Sequence, residues 1–172
     1  AYSYSNIHKI NTIGIRYFTV YGPWGRPDMS LIKFISKIKK REHIYLHNEG
    51  KMLRDFTYID DSINGTLLLL DSRLNQIKKH SKSSRSNQTN KHFNIFNIGN
   101  SKPISLMEYI GYLEKNLNKK AKIKLIKKFD GESLKTHSSI KKINRVVNYK
   151  PKISINEGIQ KTIKWYENYY KS

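Results

Sequence analysis

A loop near the start of the chain carries side chains that could bind an anionic ligand. It holds two glycines and two prolines, at positions 22, 25, 23 and 27, a density that marks a loop of fixed shape. A strand-like run precedes it, and ligands usually bind at the carboxyl ends of strands in α/β proteins. Thr19 and Arg26 are its best-placed polar groups. Arg26 could bind a carboxylate, but a loop-stabilising arginine near Asp28 is as good an interpretation.

Arg54 is a second candidate, because it follows a turn and precedes another strand-like run. The planar guanidinium fork suits a phosphate group, whose oxygens it can contact in pairs. A surface arginine that pairs with the neighbouring Asp55 explains the residue equally well. The pattern therefore indicates anion binding without deciding between a ligand and an internal ion pair.

Several catalytic patterns do not occur in the sequence. It contains no glycine-rich phosphate loop of the dinucleotide or nucleotide-triphosphate type, and no tyrosine is followed four residues later by lysine. No histidine pair has the spacing of a zinc site, and no serine lies in a nucleophile elbow. The residues alone predict an α/β piece that binds anions, with no self-contained catalytic group and no metal site.

The elements that would position these residues alternate between strand and helix, which indicates an α/β fold. Residues 1–11 are compatible with the end of a helix that began further upstream, and the polar stretch 78–92 predicts a flexible surface loop. The predicted strands are 12–18, which we expect to be buried, 44–46, the run that begins at Arg54, 93–98 and 123–126. The predicted helices are 31–38, one through 67–70, one from 106, 138–147 and one from 155. Their predicted N-caps are Ser30, Asp60 or Asp61, Ser105 with Glu108, and Ser154 with Glu157.

The formal net charge of +20 comes from 33 Lys and Arg against 13 Asp and Glu. Such a charge is typical of proteins that bind nucleic acid or anionic lipid. Compositional bias explains it better, because the lysines are scattered along the chain and accompany abundant Ile and Asn. A stand-alone basic module that binds nucleic acid or another anionic partner is therefore the alternative function, and nucleic acid is the less favoured partner.

Two further observations concern the compartment. No apolar run approaches the roughly 18 residues of a transmembrane helix, so no membrane partner is expected. The chain has no cysteine, which excludes disulfides and favours a reducing, cytoplasmic location.

Two long motifs make the chain resemble the UDP-glucuronate 4-epimerases, which are NAD-dependent epimerase/dehydratases of the extended short-chain dehydrogenase/reductase family. The first motif is Arg16-Tyr-Phe-Thr-Val-Tyr-Gly-Pro-Trp-Gly-Arg-Pro-Asp-Met29, and the second is Gly50-Lys-Met-Leu-Arg-Asp-Phe-Thr-Tyr-Ile-Asp-Asp61. The resemblance continues through Phe96-Asn-Ile-Gly-Asn100 to Trp165-Tyr-Glu-Asn-Tyr-Tyr170, and so covers essentially the whole chain.

The resemblance implies a role for five residues. Thr19 would help to hold the glucuronate, and Arg26 would face its carboxylate. Arg54 would bind the UDP diphosphate, and Tyr17 would lie beside the nicotinamide of NAD. Glu132 stands where the family usually has an aspartate that reaches the uridine ribose.

The resemblance also implies that this chain is the C-terminal portion of such an enzyme. Residues 1–29 would end a Rossmann core, and residues 30–172 would form most of a small α/β substrate-binding domain. The glycine-rich NAD loop and the catalytic Tyr-x-x-x-Lys of the family would precede residue 1. We therefore expect a UDP-sugar-binding portion that is inactive alone, with a separately encoded N-terminal Rossmann half as a possible partner.

Overall fold

The computed structural model describes residues 1–72, 92–127 and 133–171. Its strands are β1 (Thr12–Tyr17), β2 (Val20–Tyr21), β3 (His43–Leu46), β4 (Leu53–Arg54), β5 (Thr57–Tyr58), β6 (Phe93–Ile98), β7 (Ile104–Ser105) and β8 (Lys122–Leu125). Its helices are α1 (Tyr2–His8), α2 (Ser30–Lys39), α3 (Ile59–Asp71), α4 (Leu106–Leu117), α5 (Lys141–Val147) and α6 (Ile155–Tyr170), and a 3-10 turn spans His47–Gly50. The alternation confirms the predicted α/β class. Residues 78–91 of the predicted polar loop lie outside the described ranges.

β1 and β6 form the longest strand pair, which is parallel over all six residues of each strand. The sequence predicts that β1 is buried, but Ile13 and Ile15 are only partly buried, and Arg16 and Tyr17 are exposed. The reason is that, within the described ranges, β6 is the only strand that pairs with β1. The second edge of β1 therefore has no strand partner in this part of the chain, and the prediction of burial is wrong here.

The described residues also form three shorter strand pairs, and one of them joins the two candidate segments. β2 follows β1 after two residues and pairs in parallel with β5. This pairing brings the loop 22–29 beside the segment that contains Arg54. The other pairs are parallel β3 with β8 and antiparallel β4 with β7.

The larger hydrophobic cluster lies between α2, α4 and α6. The apolar spacing of the sequence predicts which faces of these helices are buried, and most of the prediction is confirmed. The predicted side chains that are buried are Leu31, Ile32, Phe34, Ile35 and Ile38 of α2, Leu106, Ile110 and Leu113 of α4, and Ile159, Ile163 and Tyr166 of α6. Leu117 and Ile155, also predicted on these faces, are only partly buried. Three of the aromatic rings in this cluster pack directly against one another. Phe56 stacks on Tyr109 with ring centroids 4.2 Å apart, and Tyr21 meets both rings edge-on.

The helix starts show which predicted caps form. The Ser105 and Ser154 side chains accept hydrogen bonds from the backbone N–H groups three residues later, at 3.0 and 3.2 Å, so both predictions are confirmed. The other two predictions are wrong. Helix α2 is preceded by Met29, with Ser30 already helical, and α3 is preceded by Tyr58.

Two acidic or polar residues predicted to start helices have tertiary roles instead. Asp61 lies in the first turn of α3 and accepts the backbone N–H groups of Lys152 and Ile153 at 2.9 and 3.0 Å. Helix α5 begins at Lys141 rather than at Ser138, which is fully buried in the preceding loop. Each of these two side chains therefore serves the tertiary fold rather than the start of a helix.

Candidate functional site

A cavity of about 360 Å³ lies between β2, the loop 22–29 and the start of α2. Thr19 and Arg26 both line it, so the structure brings together the two residues that the first motif singled out. Phe56 and Tyr109, from the hydrophobic cluster, line the same cavity. Its volume lies within the range of small-molecule sites, which begins at about 300 Å³. The cavity thus combines aromatic walls with a few polar groups that could orient a ligand.

Thr19 stands at the junction of β1 and β2 in a conformation that few side chains adopt. Its φ is +23°, and its carbonyl oxygen accepts the backbone N–H of Thr57 at 3.1 Å. Non-glycine residues with positive φ are uncommon and occur often at functional sites. The bond to Thr57 belongs to the contact between β2 and β5, which fixes the backbone of Thr19 at the cavity.

Gly22 and Gly25 give the loop its tight path. Gly22 has a φ of +148°, and a Cβ there would lie 2.5 Å from Cγ2 of Ile59. The N–H of Gly25 donates to the carbonyl of Gly22 at 3.3 Å. Only glycine fits position 22, so the loop is pressed against the first residue of α3.

Arg26 forms an ion pair with Asp28 at the surface. Its Nε donates to Oδ1 at 3.0 Å and its Nη2 to Oδ2 at 2.5 Å. Both side chains are mostly exposed. The hydrogen bond from Arg26 lowers the pKa of the Asp28 carboxyl, and the same bond raises the pKa of Arg26. In this structure Arg26 therefore stabilises the loop while it also lines the cavity.

Arg54 does not pair with Asp55, so that interpretation is wrong. Its Nη1 donates to the carbonyls of Leu53 and Ser133 at 3.0 and 2.8 Å, and its Nη2 lies 3.2 Å from Sδ of Met52. No carboxylate lies within salt-bridge distance of Arg54 in the part of the chain that the structure describes. Arg54 does not line the cavity of Thr19 and Arg26.

Asp55 is a structural anchor that the sequence patterns missed. Its carboxylate is fully buried and accepts the backbone N–H groups of Asn100 and Ser101, both at 3.1 Å. It also accepts the N–H and the hydroxyl of Ser138, at 2.7 and 2.6 Å. One carboxylate thus joins the segment of Arg54 to the turn after β6 and to the loop before α5. The only sign of this role in the sequence was an aspartate between Arg54 and Phe56. Its hydrogen-bond partners could not be read from the sequence, because they lie 45 or more residues further along the chain.

Tyr109 is a second residue that the sequence patterns did not single out. It lies on the buried face of α4, and its hydroxyl has no hydrogen-bond partner among the described residues. Burial raises the pKa of the Tyr109 hydroxyl well above its usual range. Its position on an apolar helix face was the only sign in the sequence. An unpaired buried hydroxyl of a cavity-lining residue is a group that a ligand could satisfy.

The remaining predicted site residues lie elsewhere or outside the described ranges. The Tyr17 hydroxyl lies 2.8 Å from the Thr66 hydroxyl, on the half-exposed end of β1. Glu132 lies outside the described residues. His92 contacts Asn11 at 3.1 Å, and the described residues contain no group of three or more His, Cys, Asp or Glu that could hold a metal. Among the described helices, none has both the length and the apolar character to cross a membrane.

Known proteins resemble this chain along nearly its whole length. Protein CapI of Staphylococcus aureus is 36% identical over 172 residues, which are 99% of this chain and 52% of that protein. UDP-glucuronate 4-epimerase 4 of Arabidopsis thaliana is 37% identical over 174 residues, which cover 99% of this chain and 39% of that protein. A similar solved structure is that of UDP-glucuronic acid 4-epimerase from Bacillus cereus in complex with UDP-glucuronic acid and NAD. It has a TM-score of 0.83 at 30% identity, and the match covers 98% of this chain and 49% of that chain.

These matches show how much of each known protein the chain corresponds to and which family it belongs to. It spans about half, or less, of the length of the proteins it matches, with values from 39% to 52%. They confirm the predicted fold class, which is part of a Rossmann-type extended short-chain dehydrogenase/reductase. The profile of the NAD dependent epimerase/dehydratase family matches residues 1–99, which is more than half of the sequence. The chain therefore belongs to the NAD-dependent epimerase/dehydratase family.

Proposed function

We propose that the chain is the UDP-sugar-binding portion of a UDP-glucuronate 4-epimerase-like enzyme, which converts UDP-glucuronate to UDP-galacturonate. The observation that carries the proposal is the cavity of about 360 Å³ that Thr19 and Arg26 line together after the end of β1. The similarity to the Bacillus cereus enzyme, whose solved complex contains UDP-glucuronic acid and NAD, supports the choice of substrate.

Arg26 is the residue that would select a uronate over a neutral hexose. A guanidinium binds a carboxylate with two parallel hydrogen bonds, and a hexose offers only hydroxyls at the same place. The ion pair with Asp28 is an example of this geometry, since Nε and Nη2 of Arg26 donate to the two oxygens of one carboxylate. Thr19 would contribute its hydroxyl to the sugar, from a backbone held by Thr57.

Arg54 would bind the diphosphate of UDP. Its partners among the described residues, the carbonyls of Leu53 and Ser133, are neutral, and none of these residues places a carboxylate beside the guanidinium charge. An anion near this charge gains both electrostatic energy and charge-assisted hydrogen bonds. Asp55 would keep the segment in place through its bonds to the turn after β6. The role of Glu132 at the uridine ribose stays a prediction.

NAD is the cofactor of the family, and this chain supplies little of what NAD needs. Tyr17 would lie beside the nicotinamide, but the sequence has no glycine-rich loop for the pyrophosphate and no Tyr-x-x-x-Lys. These residues do not suffice to hold the cofactor, so we assign them no hydride or proton transfer. We place the end of the Rossmann core at residues 1–29 and most of the substrate domain at 30–172. A cytoplasmic location also stays a prediction.

Exposed apolar side chains on α3, and an edge of β1 without a strand partner in the described ranges, support the need for a Rossmann half. Three side chains of α3, spaced as neighbours on one helix face, are unusually exposed: Ile63 at 50%, Leu67 at 50% and Leu70 at 75%. The second edge of β1 lacks a strand partner in the described ranges. A Rossmann half, supplied by the same polypeptide or by a separate one, would pair with this edge and cover these side chains.

The test measures conversion of UDP-glucuronate to UDP-galacturonate with added NAD. We expect none from the 172-residue chain alone, and conversion after mixing it with the Rossmann half of an Arabidopsis UDP-glucuronate 4-epimerase. Leu67→Glu should abolish this complementation, whereas Leu125→Glu, which changes an exposed leucine of β8, should not. Turnover by the chain alone would contradict the expected inactivity. Failure of the mixture to act on UDP-glucuronate would contradict the proposed function.

A further inference from the structure

The ion pair between Arg26 and Asp28 uses one particular edge of the guanidinium group. Asp28 accepts hydrogen bonds from Nε and from Nη2, so its carboxylate occupies the edge of the guanidinium that these two nitrogens form. A guanidinium carries five N–H groups, of which this pair uses two. Both N–H groups of Nη1 and the second of Nη2 are left, and no other described residue accepts a hydrogen bond from the Arg26 side chain. The open end of the fork, which is the edge formed by Nη1 and Nη2, can therefore bind a second carboxylate.

The local backbone holds Asp28 where it can reach this edge. Pro27, which has a restricted φ, separates the two residues, and the N–H of Met29 donates to the carbonyl of Arg26 at 3.0 Å. The Arg26 side chain is 74% exposed, so packing does little to restrict its rotamers. A long arginine without a partner loses much rotamer freedom when a ligand orders it. Asp28 is the group that removes part of this freedom beforehand.

We propose that Asp28 is a positioning residue for Arg26, which it holds by the Nε–Nη2 edge so that the open end of the fork meets the sugar carboxylate. The inference rests on the proposed function, because it takes the ligand to be a UDP-uronate. Asp28 does not touch the substrate; it acts through Arg26 and therefore affects uronates but not neutral UDP-hexoses.

A competing role for Asp28 would have the opposite effect. If the sugar carboxylate had to displace Asp28 from Arg26, removal of Asp28 would strengthen the binding of uronates. The open end of the guanidinium makes displacement unnecessary, since two carboxylates can bind different edges of one fork. The sign of the change in affinity therefore distinguishes positioning from competition.

The experiment titrates the 172-residue chain with UDP-glucuronate and with UDP-glucose, and follows binding by NMR. Asp28→Asn should weaken UDP-glucuronate binding by about two- to fivefold, the range of an exposed ion pair, and leave UDP-glucose binding unchanged. Asp71→Asn removes the same charge from an exposed position at the end of α3 and should change neither. In an Arg26→Ala background, Asp28→Asn should have no further effect, because the two residues then share no interaction.

Each result bears on the inference. Equal or tighter binding of UDP-glucuronate by Asp28→Asn would overturn it, as would an equal loss for both sugars or a loss that persists without Arg26. If the unmodified chain binds neither nucleotide sugar, the binding site of the proposed function is wrong and the inference is wrong with it. Binding of UDP-glucuronate that Asp28→Asn leaves unaltered would overturn only the role of Asp28.

Discussion

Asp55 shows how much a single residue contributes to the order of this region. Its carboxylate accepts four hydrogen bonds from two segments that lie 45 and 83 residues further along the chain. A buried carboxylate with this many donors is a polar centre that no apolar contact replaces. Its neighbour Arg54, the proposed diphosphate ligand, depends on the same bonds for its position.

The substitution Asp55→Asn should lower the free energy of unfolding by about 3 kcal/mol. The amide group keeps one acceptor oxygen but turns a donor toward N–H groups that need an acceptor, and hydrogen bonds to charged groups contribute about 1.5–3 kcal/mol each. Urea unfolding followed by circular dichroism would measure the change. The exposed Asp71→Asn should stay within about 0.5 kcal/mol of the original chain. A loss below about 1 kcal/mol for Asp55→Asn would show that the four bonds contribute little.

The helices illustrate what could be predicted from the sequence and what could not. The apolar periods of α2, α4 and α6 predicted their buried faces, because such a stripe depends only on local spacing. The serine caps Ser105 and Ser154 are local as well, and both form. The predicted caps of α2 and α3 fail because Ser30 is already the first residue of α2 and α3 begins before Asp60, and neither helix start has a side-chain cap bond.

The strands and the site depend on contacts that local patterns do not contain. Strands β2, β5 and β7 are two residues long, too short to show alternation, and exist through pairing with distant partners. The first motif predicted that Thr19 and Arg26 would lie near a ligand site, and both line one cavity. The interpretation of Arg54 with Asp55 failed, because Asp55 binds backbone groups that only the tertiary fold brings near.

Two glycines in different elements should respond oppositely to alanine. At Gly22, in the loop before α2, a Cβ would lie 2.5 Å from Ile59 and the φ of +148° disfavours any side chain. We expect Gly22→Ala to cost about 1–3 kcal/mol. Gly111 lies inside α4, and a Cβ there meets nothing within 4 Å, so Gly111→Ala should stabilise the chain by about 0.5–1 kcal/mol. Thermal unfolding of both variants tests the pair, and a stabilising Gly22→Ala would contradict the loop geometry.

At the scale of the whole molecule, the surface carries two unbalanced features. One is the apolar face of α3, together with the edge of β1 that has no strand partner among the described residues; the proposed Rossmann half would cover both. The other is the net charge of +20, which no single site of the described structure uses. The described ion pairs are few and lie at the surface, where each contributes little. Most lysines therefore repel one another through solvent.

This repulsion predicts that salt stabilises the folded chain. Folding brings like charges closer together, and salt screens them, with a Debye length that falls from about 30 Å at 0.01 M to about 8 Å at 0.15 M. The melting temperature should therefore rise by several degrees over this range of sodium chloride. A variant with Lys40, Lys119 and Lys124, all exposed, changed to Gln should melt higher at low salt and respond less to added salt. A melting temperature that does not change with salt, or that falls, would show that contacts in the folded chain already offset the repulsion between the basic residues.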